Sequence, residues 1–220
     1  AWDGDELIAR AKASAEAVRD GGAKFLVATS YAFVYGDTHG HVVDESAKPE
    51  VADFPLLKAA IKAEKTALNA GVPACILRLG YLYGPHMEQL HAVTNSLRQG
   101  RPLPVGSGLA NYLYAFDAAE AIRRAAEVQP AAEVFNVADG HPVSSAQFMA
   151  ALAESLGIHA PAKLPGFLNV LMAGSPLRQL LGLSVKVNIS KAKATLGWKP
   201  QYTLNAGLSD TFLTWRAQAR

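Results

Sequence analysis

Two short segments constrain this chain most: Phe25-Leu26-Val27-Ala28, and the run from Ala74 to Leu79. Both are apolar nearly throughout rather than alternating, the pattern of strands covered on both faces. A sheet of that kind needs helices above and below it, and the residues between supply them. Leu7, Ile8, Ala11, Ala15 and Val18 recur at helical spacing. Asp3 and Glu6 stand ahead of that run in capping-box spacing, and Gly21-Gly22 stops it. Pro55 suits a first helical turn, with Leu57, Ile61, Glu64 and Leu68 following on one face until Gly71. Thr94–Gln99 continues another helix closed by Gly100, and Asp117–Val128 is Ala-rich and helical. Glu133–Ala138 reads as a third strand, closed by Asp139-Gly140. Ser144 and Gln147 form a capping box before a helix over Ala146–Leu156, and Ser190 opens a short helix that stops at Gly197. The order predicts an α/β fold on a parallel sheet. Residues 1–140 form the sheet portion, with 86–112 contributing to a substrate lobe. Residues 141–220, helical with no clear buried strand, form a small cap lobe.

Composition narrows the functional classes. Half of the 220 residues are apolar and 18% are charged, which excludes a disordered tail or a disulfide miniprotein. Lys+Arg 21 against Asp+Glu 19 leaves +2 with no basic block, so no nucleic-acid partner is expected. The most apolar region, Leu164 to Val185, is broken by Asn169, Pro176 and Arg178, and no membrane span is expected. The chain opens with acids where a signal peptide carries bases, and its single Cys75 lies in an apolar run. Both features predict a reducing, cytoplasmic setting.

Several motifs appear in one order. Phe25–Ala28 leads into Thr29-Ser30 and then Val34-Tyr35-Gly36, followed by Asp44-Glu45, Pro55 and Glu64. Leu77-Arg78-Leu79-Gly80 precedes Tyr83-Gly84-Pro85. Asp117-Ala118-Ala119-Glu120-Ala121, Phe135-Asn136-Val137 and Leu196-Gly197-Trp198-Lys199-Pro200 complete the set. Across roughly residues 5 to 205 this series resembles the extended short-chain dehydrogenase/reductases, the NAD-dependent epimerase/dehydratase family. The resemblance implies the C-terminal part of a Rossmann-like parallel sheet with a helical cap. It also implies NAD or NADP as cofactor and a small-molecule substrate.

Two departures from the family's pattern matter. No G-x-x-G-x-x-G or G-x-G-x-x-G turn occurs, so the sequence contains no bare-backbone cradle for a pyrophosphate. The resemblance implies about three further βα units, of about 30 residues each, ahead of residue 1. A preceding segment or another chain would supply them, and these residues alone are not expected to hold a whole dinucleotide. The second departure is chemical. The family's Tyr-x-x-x-Lys places a phenol and an ammonium on one helix face, where the positive charge eases loss of the phenolic proton. Here Leu56 and Ala60 fall at those two positions, and no Tyr-x-x-x-Lys occurs anywhere in the chain.

The candidate site residues are therefore few. The family's catalytic Ser/Thr position, five before Gly36, holds Tyr31, and Ser30 stands one residue earlier. Ser30 is the candidate catalytic residue. The resemblance gives Ala28, Thr29 and Ser30, with the backbone of Leu79, Gly80, Tyr81 and Leu82, as cofactor contacts. His86 is the candidate substrate contact. Without a nearby lysine, Tyr31 and Tyr35 read as packing residues, and Tyr114 as structural. Lys58 and Lys62 read as a solvated helix face, and His39 and His41, with no adjacent ligand pattern, as exposed rather than metal-binding. No metal is expected.

Two functions follow from the resemblance. One is a divergent NAD(P)-dependent epimerase/dehydratase or reductase acting on a sugar nucleotide or another hydroxyl- or keto-bearing small molecule. Its proton relay would run through Ser30, a water, or a residue outside the chain. The other is a non-enzymatic dinucleotide sensor or scaffold that has lost Tyr-x-x-x-Lys. The helices at 5–20 and 55–69 are expected to form a homodimer interface that engages Ala11, Ala15, Ile61 and Leu68. Phe25–Thr29 is expected to leave one strand edge for another chain, a swapped copy or a preceding segment to cover.

Overall fold

A computed structural model of the chain describes residues 4–51, 54–101, 103–159 and 180–218. In chain order the first half contains α1 (Gly4–Asp20), β1 (Leu26–Tyr31), a 3-10 turn (Ala32–Tyr35), β2 (Val42–Val43), α2 (Pro55–Leu68), β3 (Ala74–Leu79), β4 (Tyr81–Tyr83) and α3 (Glu88–Arg98). The second half contains β5 (Leu109–Ala110), β6 (Tyr112–Tyr114), α4 (Ala115–Val128), β7 (Glu133–Val137), β8 (Val143–Ser144), α5 (Ser145–Ser155), β9 (Lys186–Val187), α6 (Ser190–Leu196) and α7 (Leu204–Gln218). Asp3, expected to cap α1, lies outside the described residues, as does most of Leu164 to Val185.

The central sheet has three parallel strands in the order β1-β3-β7. All residues of β3 are buried, as its nearly continuous apolar run demands, and α2 and α4 pack against it. Cys75 is part of this core, and burial pushes its thiol up to about 11. On its outer side β1 has no strand partner among the described residues, and its residues are less covered than those of β3.

β1 runs three residues further than the apolar segment suggested. Thr29, Ser30 and Tyr31 stay extended because β3 continues alongside them, pairing Tyr31 with Leu79. The polar residues hid this continuation. The chain leaves β1 through a 3-10 turn and then Gly36, whose φ of 70° favours glycine.

Three smaller ladders join distant parts of the chain. β4 pairs with β6 in parallel, β5 with β8 antiparallel, and β2 with β9 in parallel. β8 and β9 add two short, partly buried strands to residues 141–220, beside the helices expected there. Each is two residues long, too short to display a hydrophobic period. The capping box at Ser144 forms as its spacing predicted: Gln147 N donates to Ser144 Oγ and Ser144 N donates to Gln147 Oε1. Helix α3 begins at Glu88, well ahead of the Thr94–Gln99 stretch legible in the sequence. Among the described residues no helix is long and apolar enough to cross a membrane.

Candidate functional site

Open parallel sheets bind ligands beyond the carboxyl ends of their strands. Here that edge is defined by register. Ser30, Arg78 and Asn136 form one row, and Tyr31, Leu79 and Val137 the next. Beyond them the chain departs through Ala32, Gly80 and Ala138. Gly80 is required by space: a Cβ there would lie 2.7 Å from the Asn111 carbonyl oxygen. Its N–H donates to Val137 O and that of Tyr81 donates to Asn111 O, both at 2.9 Å.

A buried polar chain supports this edge. The Arg78 guanidinium grips Glu64 of α2 with two bonds, Nε to Oε1 at 3.0 Å and Nη2 to Oε2 at 2.7 Å. Its Cζ lies 4.9 Å from the centre of the Tyr35 ring. Tyr35 Oη donates to Asn136 Oδ1 at 2.8 Å, and Asn136 N donates to Glu45 Oε1 at 2.7 Å. Burial works against the charge of Arg78, but the Glu64 carboxylate outweighs it and holds the guanidinium above its ordinary range. Burial raises the Tyr35 phenol despite the neighbouring Arg78. The network explains Glu64 on an otherwise apolar helix face, and Glu45 in the loop after β2. It ties α2, the 3-10 turn and that loop to the ends of β3 and β7. The sequence showed each residue singly but not their convergence.

The expected ligand contacts sit as follows. Thr29 is exposed and Ala28 half-buried, while Ser30 is only 6% exposed. The Ser30 hydroxyl is buried with no hydrogen-bond partner among the described residues. Leu79 lies beside Tyr31 in the register, and Tyr81 and Leu82 lead away along β4, against β6. The backbone N–H groups of Gly80 and Tyr81 are thus already used within the chain, leaving Ser30 as the uncommitted polar group of this row. His86 is exposed in the loop before α3. Leu56 is half-buried and Ala60 buried, so no phenol–ammonium couple stands on α2.

Other readings can be placed in the same way. Lys58 and Lys62 are exposed, as are His39 and His41. Among the described residues no group of His, Cys, Asp or Glu could hold a metal ion. Tyr114 is buried and donates to Asp210 Oδ2 at 2.5 Å, a structural anchor between β6 and α7. Tyr31 departs from its packing assignment: it is 39% exposed and its side chain makes no hydrogen bond or ring contact among the described residues. It belongs to the less covered strand, where packing does not claim it.

Asp139, just past β7, was not singled out by the sequence. Burial drives its carboxyl from the ordinary 3.8 to about 6, against the lowering effect of the His141 N–H, which donates to Oδ1 at 3.0 Å. Between those values the folded state holds a proton that the unfolded chain has released. Stability therefore falls as pH rises from about 4 to about 6, and the full penalty persists above that. Asp139→Asn is expected to abolish this fall and raise neutral-pH stability by roughly 2 kcal/mol. Urea denaturation across pH 4–8 checks it, and identical pH profiles for variant and wild type would refute it.

Comparison with known proteins agrees with this architecture. A 3-diazoavenalumate denitrifying reductase from Streptomyces sp is 32% identical over 197 residues, covering 85% of this chain and 64% of that protein. A UDP-glucose 4-epimerase from Vibrio cholerae is 30% identical over 171 residues, 72% of this chain and 52% of that one. The chain thus spans less than two thirds of the length of either relative. The crystal structure of a dTDP-glucose 4,6-dehydratase from Bacillus anthracis, in complex with NAD, matches with a TM-score of 0.79 at 19% identity. That match covers 97% of this chain and 68% of the dehydratase, a likeness of fold. The profile of the NAD dependent epimerase/dehydratase family matches residues 9–138, which run from α1 through the three central strands and every residue of the buried chain from Glu45 to Asn136. With its sheet, its polar support and its relatives in agreement, the chain belongs to the NAD dependent epimerase/dehydratase family.

Proposed function

We propose that these residues form the sheet-and-cap portion of a divergent NAD(P)-linked epimerase/dehydratase or reductase. Its substrate is a nucleotide sugar or a related hydroxyl- or keto-bearing small molecule. The observation that carries the reading is the buried Ser30 hydroxyl, uncommitted at the carboxyl end of β1. A buried hydroxyl without a partner loses free energy that a ligand can return. Ala28, Thr29 and Ser30, with the Leu79–Leu82 backbone, would hold the nicotinamide end of the cofactor. When bound, such a cofactor exchanges a hydride with a carbinol or carbonyl carbon. The chain's part is to bind and orient, and Gly80, with no side chain, lets the turn after β3 pass close to Asn111. His86 stands on the substrate side. Two similar proteins support the substrate class: one is a UDP-glucose 4-epimerase and the other a dTDP-glucose 4,6-dehydratase.

A second reading, a dinucleotide-binding protein without turnover, is favoured by Leu56 and Ala60 at the positions of the family's phenol and ammonium. In either case α1 and α2 are proposed to pair with a second copy. Ala15 is already buried within the chain, so the partner would meet the half-buried Ala11, Ile61 and Leu68 instead.

Titration calorimetry of the full-length gene product with NAD+ and NADP+ tests the proposal, with light scattering on the same sample for the dimer. Micromolar binding is expected, weakened about fivefold by Ser30→Ala, the worth of one hydrogen bond. The variant should unfold no earlier than wild type, since it removes an unsatisfied group. Absence of dinucleotide binding would overturn the reading, and a monomer the pairing. Binding without turnover on a panel of UDP- and dTDP-hexoses selects the sensor.

A further inference from the structure

Helix α5 packs against both α3 and α7, and an open cleft of about 300 Å³ lies among the three. His91 and Arg98 line it from α3, Ser155 from the end of α5, and Phe212, Trp215 and Arg216 from α7. None of its lining residues belongs to the carboxyl edge of the central sheet, and neither does His86. The volume stands at the low end for small-molecule sites, too small for a dinucleotide. We propose that this cleft binds a small planar ring bearing one anionic group, at a site separate from the dinucleotide edge. The site does not depend on the dinucleotide reading above.

Charge selects the anion. Arg98 and Arg216 are exposed and make no ion pair among the described residues, and no carboxylate lines the cleft. Two guanidinium groups around one concavity repel each other, and an anion between them removes that penalty while accepting paired N–H bonds. Ser155 spends its hydroxyl proton on Ala151 O at 2.9 Å, which leaves recognition of the charge to the arginines. Stacking selects the ring. His91 lies on Trp215 with centroids 3.9 Å apart and planes 26° from parallel, and Phe212 meets Trp215 edge-on at 5.2 Å. His91 is itself exposed, so the imidazole face turned from Trp215 is open to a ligand. This platform is fixed in advance. Trp215 Nε1 donates to Pro85 O at 2.7 Å, and His91 Nε2 lies 3.2 Å from the same oxygen. A carbonyl oxygen only accepts, so Nε2 carries the proton of the neutral imidazole and donates it there. With both rings pinned to one backbone oxygen, little side-chain freedom is lost when a ligand arrives.

Titration calorimetry of the full-length gene product with 2-naphthoate, 2-naphthyl phosphate and the neutral 2-naphthamide decides it. Both anions are expected to bind once per chain with a Kd on the order of 0.1 mM, and the amide at least about tenfold more weakly. The tighter of the two anions tells whether the natural ligand is an aryl acid or a phosphate ester, and either result supports the site. Arg98→Gln and Arg216→Gln are each expected to weaken the anions about tenfold. Both variants should melt with the wild type, because an exposed guanidinium without an ion pair does not hold the fold. An excess of NAD+ should leave naphthoate binding unchanged, which separates this cleft from the dinucleotide edge. No saturable binding of either anion would overturn the proposal. So would an amide as tight as the carboxylate, full affinity in the Arg98→Gln/Arg216→Gln double variant, or displacement by NAD+.

Discussion

Glu64→Ala is expected to remove about 3–5 kcal/mol of folding stability. Arg78 and Glu64 are 5% and 6% exposed, and their two bonds satisfy each other where water does not reach. Deleting the carboxylate strands a guanidinium in the sheet core beside the Tyr35 ring. The penalty is thus mainly the uncompensated charge, since an intact buried pair contributes little net energy. Replacing both partners with apolar residues of similar length, Arg78→Met with Glu64→Leu, is expected to recover most of the loss. Urea denaturation at pH 7 reads both proteins. A single variant that loses under 1 kcal/mol would mean that the pair is solvated and that the edge is held by packing alone. Because Arg78 also lies against Tyr35, the same substitution should loosen the turn that follows Tyr31.

Trp198→Ala should destabilise the fold by about 3–5 kcal/mol through a different mechanism, the loss of a large buried ring. Trp198 is 1% exposed, and its Nε1 donates to the Asp117 carbonyl at 3.0 Å. The Asp117 carboxylate accepts the N–H groups of Gln201 and Tyr202 at 2.9 and 3.1 Å. One residue of α4 therefore anchors the whole segment that carries the chain from α6 into α7. Trp198→Phe keeps most of the apolar area and should cost less than half as much. Limited proteolysis is expected to cut the alanine variant between Leu196 and Leu204 while the central sheet stays intact. Wild-type resistance in that variant would place the anchor elsewhere.

Much of this fold was legible as pattern. β3 announced itself because a strand covered on both faces must be apolar at nearly every position. The capping box at Ser144 was equally plain, since its bonds span three residues. β8, β9 and the start of α3 were not, because two-residue ladders and half-exposed helical turns carry no period to detect. Asp139 was missed for a related reason: nothing near it in sequence foretells the burial that shifts its carboxyl.

The site divides along the same line. Absence of the phenol–ammonium pair and of a glycine-rich turn is a property of residue order, complete before folding. So is the row of apolar, polar and glycine residues that assigns the chain to its family. Whether a given polar group is spent or available depends on neighbours far away along the chain. Glu64 is spent on Arg78 and Tyr35 on Asn136, whereas Ser30 retains an uncommitted hydroxyl and Tyr31 an accessible phenol. Local preference acts over a few residues, but hydrogen-bond partners and desolvation are set by contacts that exist only once the strands have come together.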